Sequence, residues 1–330
     1  MARGVVSRHV LSVVLLAVLG ALAVTLMAMQ SSSGAGRGGP LGEAASRSAQ
    51  LRAVVTIAPL KGILEPLLPR GSTVTVLMPP GRSEHNYEFT PADMAGLGRS
   101  DVAFLVGLEL EPAVEKFVQA HPSEARADLV LADLLEIKAD GSHEHHDHTH
   151  TEACDHGPVD PHLWVDPALV KRATPKIAER VRDLLKRRGA LTPELEKELR
   201  EAEKSHLASI EALDAEIRAG LEPLRGRKMV THHAAFGRLA ERYGLVVLDV
   251  IKGFDGAEPT PGRLASIVER IKSEGVSAIF IEPQYNPASA KRLAEAANVR
   301  VAMLDPLGTG DWFAMMRSNT ESLVSGLSSP

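Results

Sequence analysis

The sequence predicts an α/β protein of two lobes, each with a mainly parallel sheet flanked by helices, joined by one long backbone helix. Three observations carry this reading. Short β-branched runs alternate with helical patterns from Leu51 onward, the alternation occurs twice, and one long helical pattern separates the two occurrences. In the first half, Ala53 to Ile57, Val74 to Met78 and Val102 to Val106 read as buried strands. Thr90 and Pro91 supply an N-cap and a first-turn proline for a crossover helix to Ser100, since proline lacks the N–H that would be orphaned there. Another helix opens at Asp166 and Pro167.

The separating helix opens at Thr192 and Pro193, carries Glu194 and Glu196 in its first turn and stops at Gly220. Leu195, Leu199, Ala202, His206, Ile210, Leu213 and Ile217 recur at helical spacing and define one apolar stripe. At the usual rise per residue it runs about 40 Å, enough to brace both lobes. Beyond it, Lys228 to His232, Leu245 to Val250, Ala278 to Ile281 and Val299 to Leu304 read as four further strands. Helix starts lie at Thr260 before Pro261 and at Asn286 before Pro287, the latter opening a periodic run to Ala297.

The organisation predicted is a signal peptide or signal anchor at 1–30, a flexible linker rich in Gly, Ser and Ala at 31–50, a first lobe at 51–190, the connecting helix at 191–220 and a second lobe at 221–330. Arg3 and Arg8 precede the apolar run Val10 to Met29, the layout of an export signal. The mature domain is therefore expected in the periplasm or otherwise outside the cytoplasm, released or held by residues 10–29. A chain of 330 residues with 44% hydrophobic content builds ordinary packed domains, and a net charge of -5 offers no basic excess for following nucleic acid. Cys154 is the single cysteine, so an intramolecular disulfide and a Cys-x-x-Cys site are both excluded.

Ligands of open α/β sheets bind beyond the carboxyl ends of the strands, which makes polar residues at those ends candidates for a site. His85 follows the strand Val74 to Met78 across Pro79-Pro80-Gly81, His233 follows Lys228 to His232, and Asp305 follows Val299 to Leu304. His162 lies in Asp160-Pro161-His162-Leu163-Trp164. Singly, each has an ordinary explanation as a loop, turn or cap residue. His232 and His233 are adjacent at a strand end and point in opposite directions, so one of them is expected to face the cleft and the other to be structural. The tract Gly141 to His156 holds six of the 13 histidines, His143, His145, His146, His148, His150 and His156, beside Asp147, Asp155 and Cys154. It cannot pack: a run of imidazoles can bind metal weakly at several registers, the alternative being a disordered polar insertion with incidental metal affinity.

These stretches resemble the substrate-binding proteins of metal ABC importers, and within them the zinc-specific, ZnuA-type members. Four segments in order carry the resemblance: Gly81 to Asp93 (GRSEHNYEFTPAD), Asp160 to Pro167 (DPHLWVDP), Thr231 to Gly237 (THHAAFG) with Tyr243-Gly244-Leu245, and Leu304 to Asp311 (LDPLGTGD). The resemblance implies a metal site in the cleft between the lobes with His85, His162, His233 and Asp305 as ligands, the His-rich loop falling just before the second. It implies Zn(II) as the transported ligand, with one tight site and weaker loop sites. The implied partners are a membrane permease and its cytoplasmic ATPase, served by a monomeric binding protein. The chain departs from the pattern in two places. Glu84 stands directly before His85 as an auxiliary or alternative carboxylate ligand, and Ala234 replaces an acidic residue that often follows the third ligand.

A manganese-binding member is the alternative within the family, but imidazole nitrogen suits zinc and manganese favours oxygen. A zinc hydrolase is disfavoured by the absence of H-E-x-x-H, G-x-S-x-G and P-loop patterns, and four protein ligands leave no position for an activated water. The expected role is therefore not that of an enzyme.

Overall fold

The computed structural model describes residues 49–138, 159–252 and 259–328. The export segment at 10–29, the linker up to residue 48 and the His-rich tract at 141–157 lie outside the described residues.

The first lobe runs β1 (Arg52–Val55), α1 (Ala58–Leu64), β2 (Thr73–Val76), α2 (Pro91–Gly98), β3 (Val102–Leu105), α3 (Pro112–Ala120), β4 (Ala127–Val130) and the short α4 (Leu131–Leu134). Its four strands are parallel, in the order β2-β1-β3-β4. Two long helices follow, α5 (Pro167–Arg187) and α6 (Pro193–Leu221). The second lobe contains β5 (Lys228–Thr231), α7 (Gly237–Tyr243), β6 (Val246–Val250), α8 (Pro261–Glu274), β7 (Ala278–Ile281), α9 (Ala288–Ala297), β8 (Arg300–Met303) and α10 (Trp312–Leu327). Its strands are also parallel and follow the same plan, β6-β5-β7-β8.

Local chemistry places most of these elements. Thr90 and Asp93 form a reciprocal cap at the start of α2: the Thr90 hydroxyl accepts from the Asp93 N–H, and the Asp93 carboxylate accepts from the Thr90 N–H at 2.7 Å. Thr192 and Thr260 cap α6 and α8 in the same sense, each accepting from the N–H three residues on. The strand β4 has no counterpart in the sequence reading. It is four residues long and runs directly into the apolar Leu131, so no period-two alternation or turn residue marks its end. Its partner is β3, whose four residues are all buried.

α6 has 29 residues and spans about 43 Å. Leu199, His206, Ile210, Leu213, Ile217 and Leu221 are its buried face, packed against α5 and α10. The closing helix α10 packs on α6, on β8 and β7, and also on α1 of the first lobe. That last approach is close, because a Cβ on Gly62 would lie 2.6 Å from the Trp312 nitrogen. The lobes are therefore held by two helices, one between the sheets in sequence and one at the end of the chain.

His206 is the polar member of the α6 stripe. It is buried, meets Phe313 edge-on with ring centroids 5.6 Å apart, and burial, partly offset by a hydrogen bond to the Ile63 backbone, pushes its pKa down to about 4. A depressed histidine contributes stability that is present above its unfolded pKa near 6.5 and lost as pH falls toward 4. His206→Leu should remove that dependence: between pH 6.5 and 4 the parent should lose up to about 3 kcal/mol more unfolding free energy than the variant, measured by urea titration at each pH.

Candidate metal centre

The loop leaving β2 turns at Gly81, whose φ of +76° is open to glycine without strain, and carries Glu84 and His85. His162 directly precedes a buried 3-10 turn, Leu163–Val165, after which Asp166 caps α5 by accepting from the Ala168 N–H. The turn is locked by bonds from two buried indoles. Trp164 Nε1 donates to the Pro306 carbonyl at 2.6 Å, and Trp312 Nε1 donates to the Trp164 carbonyl at 2.8 Å. His233 lies just past β5, and its carbonyl accepts from the Thr231 hydroxyl at 2.8 Å. Two donor-bearing residues thus come from the β2 loop, one from the entry to α5 and one from the second lobe.

Their four donor atoms converge. His85 Nε2 and His162 Nε2 are 3.2 Å apart, and His233 Nε2 and His162 Nε2 are 3.3 Å apart. Glu84 Oε1 stands 3.5 Å from His162 Nε2 and 3.6 Å from His233 Nε2. The ring centroids form a near-equilateral triangle of 5.2, 5.4 and 5.1 Å with every ring edge-on to the others. A regular tetrahedron with centre-to-corner bonds of about 2.0–2.1 Å has edges of about 3.3–3.4 Å, so these separations suit a small tetrahedral cation bound by nitrogen and oxygen.

Two further carboxylates fix the ring orientations. Asp160 Oδ1 accepts from the His162 N–H at 2.9 Å and lies 2.8 Å from His162 Nδ1. Glu282 Oε1 accepts from the His233 N–H at 3.0 Å, while its Oε2 lies 2.5 Å from His233 Nδ1. The Asp160 bond favours the ring proton on Nδ1 of His162, and the negative charge of Glu282 beside Nδ1 of His233 favours the same tautomer there, with Nε2 toward the common centre. Arg238 holds Asp160 in turn, donating from Nη2 to its carbonyl at 2.6 Å.

The electrostatics favour positive charge at this point. Burial opposes ionisation of Glu84, yet its contacts with His162 and His233 hold the carboxyl well below the usual range. Burial also opposes protonation of His233, but the charge and contact of Glu282, reinforced by Glu84, push it up to about 10. His162 is raised as well, Asp160 and Glu84 outweighing its burial. Glu282 is itself raised by burial, so the Glu282–His233 pair holds its proton strongly. Neither oxygen of the buried Glu84 has a hydrogen-bond partner among the described residues. A buried carboxylate so placed faces the three imidazoles instead.

The structure brings His85, His162 and His233 together, with Glu84 as the fourth member of the group. Asp305 is outside this group. The physical reason is local: its Oδ1 accepts from Gln284 Nε2 at 2.7 Å and from the Leu307 N–H at 3.0 Å. Asn319 also clasps the Asp305 backbone on both sides, accepting from its N–H and donating to its carbonyl at 2.8 Å each. His232 is buried against Tyr285, and its Nδ1 accepts from the Glu282 N–H at 3.4 Å, consistent with a structural role. Two orienting residues escaped the sequence reading. Asp160 had a signal in its position two residues before His162, whereas Glu282 had only its place after β7 and stands in for the acidic side chain that Ala234 lacks.

The family described as the zinc-uptake complex component A, periplasmic, matches residues 53–326. The high-affinity zinc uptake system protein ZnuA of Yersinia pestis is 28% identical over 271 residues, covering 78% of this chain and 83% of that protein. The zinc-binding protein AdcA of Streptococcus pyogenes is 26% identical over 294 residues, and the match spans 83% of this chain but 55% of AdcA. Among solved structures, a crystal structure of ZnuA superposes with a TM-score of 0.67 at 26% identity, over 84% of this chain and 100% of that one. A zinc-bound ZnuA deletion mutant gives 0.66 at 27% identity, over 85% and 99%.

If Glu282 orients His233, Glu282→Gln should weaken divalent-metal binding about 10- to 100-fold while the circular dichroism of the metal-free protein stays that of the parent. Isothermal titration of both proteins measures the difference.

Proposed function

The chain belongs to the family of periplasmic zinc-uptake component A, and from that premise we propose that it captures Zn(II) outside the cytoplasm on His85, His162, His233 and Glu84 and delivers it to the permease of an ABC importer. The observation that carries this reading is the convergence of three Nε2 atoms and one buried carboxylate, drawn from both lobes, at the edge lengths of a tetrahedral site. Zinc is the cargo, and the protein acts on it by holding and releasing it rather than by chemistry. Glu84 takes the fourth position in this arrangement, and Asp305 accepts from Gln284 instead. A permease in the membrane, driven by a cytoplasmic ATPase, would receive the ion, and the run Val10 to Met29 would export the domain that meets it.

Three imidazoles and one carboxylate favour zinc over manganese on two grounds. Nitrogen ligands suit the borderline-soft zinc ion, and Mn(II) stands at the weak end of the divalent series. A closed set of four protein donors also leaves no position for a catalytic water. The role is that of a transport component.

His162→Ala should lower zinc affinity by more than about 100-fold, because it removes a bond to the metal itself and not only its support. In the parent, equimolar manganese should fail to displace zinc in a competition titration, and displacement would contradict the donor set proposed here. The histidine tract is expected to bind further zinc weakly. Deleting residues 141–157 should reduce the zinc bound in excess metal to a single tight equivalent, and equal stoichiometry before and after deletion would exclude the tract as a binding element.

A further inference from the structure

The β2 loop carries two of the four donors, and a second contact besides the donor cluster ties it to the opposite lobe. Ser83 Oγ and the Tyr285 hydroxyl are 3.0 Å apart, bridging residues 202 positions apart in the chain. Ser83 immediately precedes Glu84 and is two residues from His85. Tyr285 belongs to the turn after β7, where its N–H donates to the carbonyl of Glu282, the residue that orients His233. The Tyr285 ring lies against both His232 and His233, with centroid separations of 5.0 and 5.3 Å, and Lys252 Nζ stands 5.6 Å from the ring centroid. Ring and hydroxyl therefore have separable duties. The ring packs against a donor of the second lobe, and the hydroxyl reaches the loop that supplies two donors from the first.

We propose that Tyr285 is a latch that sets how fast the captured ion leaves, holding the Glu84–His85 loop closed through Ser83 without touching the ion. Resting on the zinc-capture reading above, the inference goes beyond it by assigning the dissociation barrier to a named pair. Release of an ion bound from both sides requires the β2 loop to separate from the second lobe, and that motion breaks the Ser83–Tyr285 bond. Entry proceeds from the open loop, where the bond is not yet formed, so the association rate is independent of it. Tyr285 is thus a positioning residue, distinguished from a merely structural one by acting on one rate and not the other.

Zinc dissociation from purified full-length protein, followed by stopped flow into a chromophoric chelator, tests this directly. Tyr285→Phe keeps the ring and should raise the dissociation rate about two- to tenfold, the range expected for one hydrogen bond, with association rate, zinc stoichiometry and metal-free melting temperature unchanged. Ser83→Ala should reproduce the effect, and the double variant should match either single one, since both remove the same bond. An unchanged dissociation rate in Tyr285→Phe, or effects of the two substitutions that multiply, would overturn the latch. If the parent bound no zinc, the capture reading would fail and the latch with it, whereas zinc binding by the parent with an unchanged dissociation rate in Tyr285→Phe would overturn the latch alone.

Discussion

Everything around the centre answers one constraint: three imidazole lone pairs and a carboxylate must be kept pointing at one another in a place from which water is largely excluded. Four of the donor separations are 3.2–3.6 Å, and lone pairs at that range repel unless a cation or a proton lies between them, so the arrangement depends on a frame stiff enough to hold it. The frame is supplied by α6, by α10, and by the indole bonds of Trp164 to the Pro306 carbonyl and of Trp312 to the Trp164 carbonyl, which fix the turn after His162 against the segment after Asp305. Arg238 and Arg242 of α7 add ties from the second lobe to the first, the one onto the Asp160 carbonyl and the other onto the Asp166 carboxylate.

The carboxylates near the centre divide into those that lie beside ring Nδ1 atoms and the one that faces the Nε2 atoms. Asp160 and Glu282 each lie beside an Nδ1, and by doing so favour the tautomers in which His162 and His233 present Nε2. Glu84 has no such partner and faces inward. Asp305 is committed elsewhere, to Gln284 and a backbone N–H. This division keeps the donor set nitrogen-rich, and a nitrogen-rich tetrahedron discriminates in favour of zinc by ligand chemistry rather than by depth of burial.

A binding protein for transport must hold its cargo and also give it up. Placing donors on a loop of one lobe and at a strand end of the other meets both demands, because modest separation of the lobes dismantles the set while each half stays folded. The helices that join the lobes pack against both, and the loop carrying Glu84 and His85 lies outside those helices.

The sequence by itself determined the periodic parts of this protein. Alternating β-branched runs, proline-opened helices capped by Thr90, Thr192 and Thr260, and the stripe from Leu195 to Ile217 are signals that each element carries internally, and the two sheets and the long helix follow from them. The motifs around His85, His162 and His233 were legible for the same reason, since each stands beside a strand end or turn that its own neighbours specify. Only the tertiary structure decided the rest. β4 was hidden because its few residues pair with β3 rather than advertise a period. The grouping of Glu84, and not Asp305, with the three histidines was hidden because Asp305 bonds to Gln284, 21 residues away, and the His233–Glu282 contact spans 49 residues. Periodicity and capping act over a few residues along the chain, whereas the orientation of a buried side chain is set by whichever distant groups the fold packs against it.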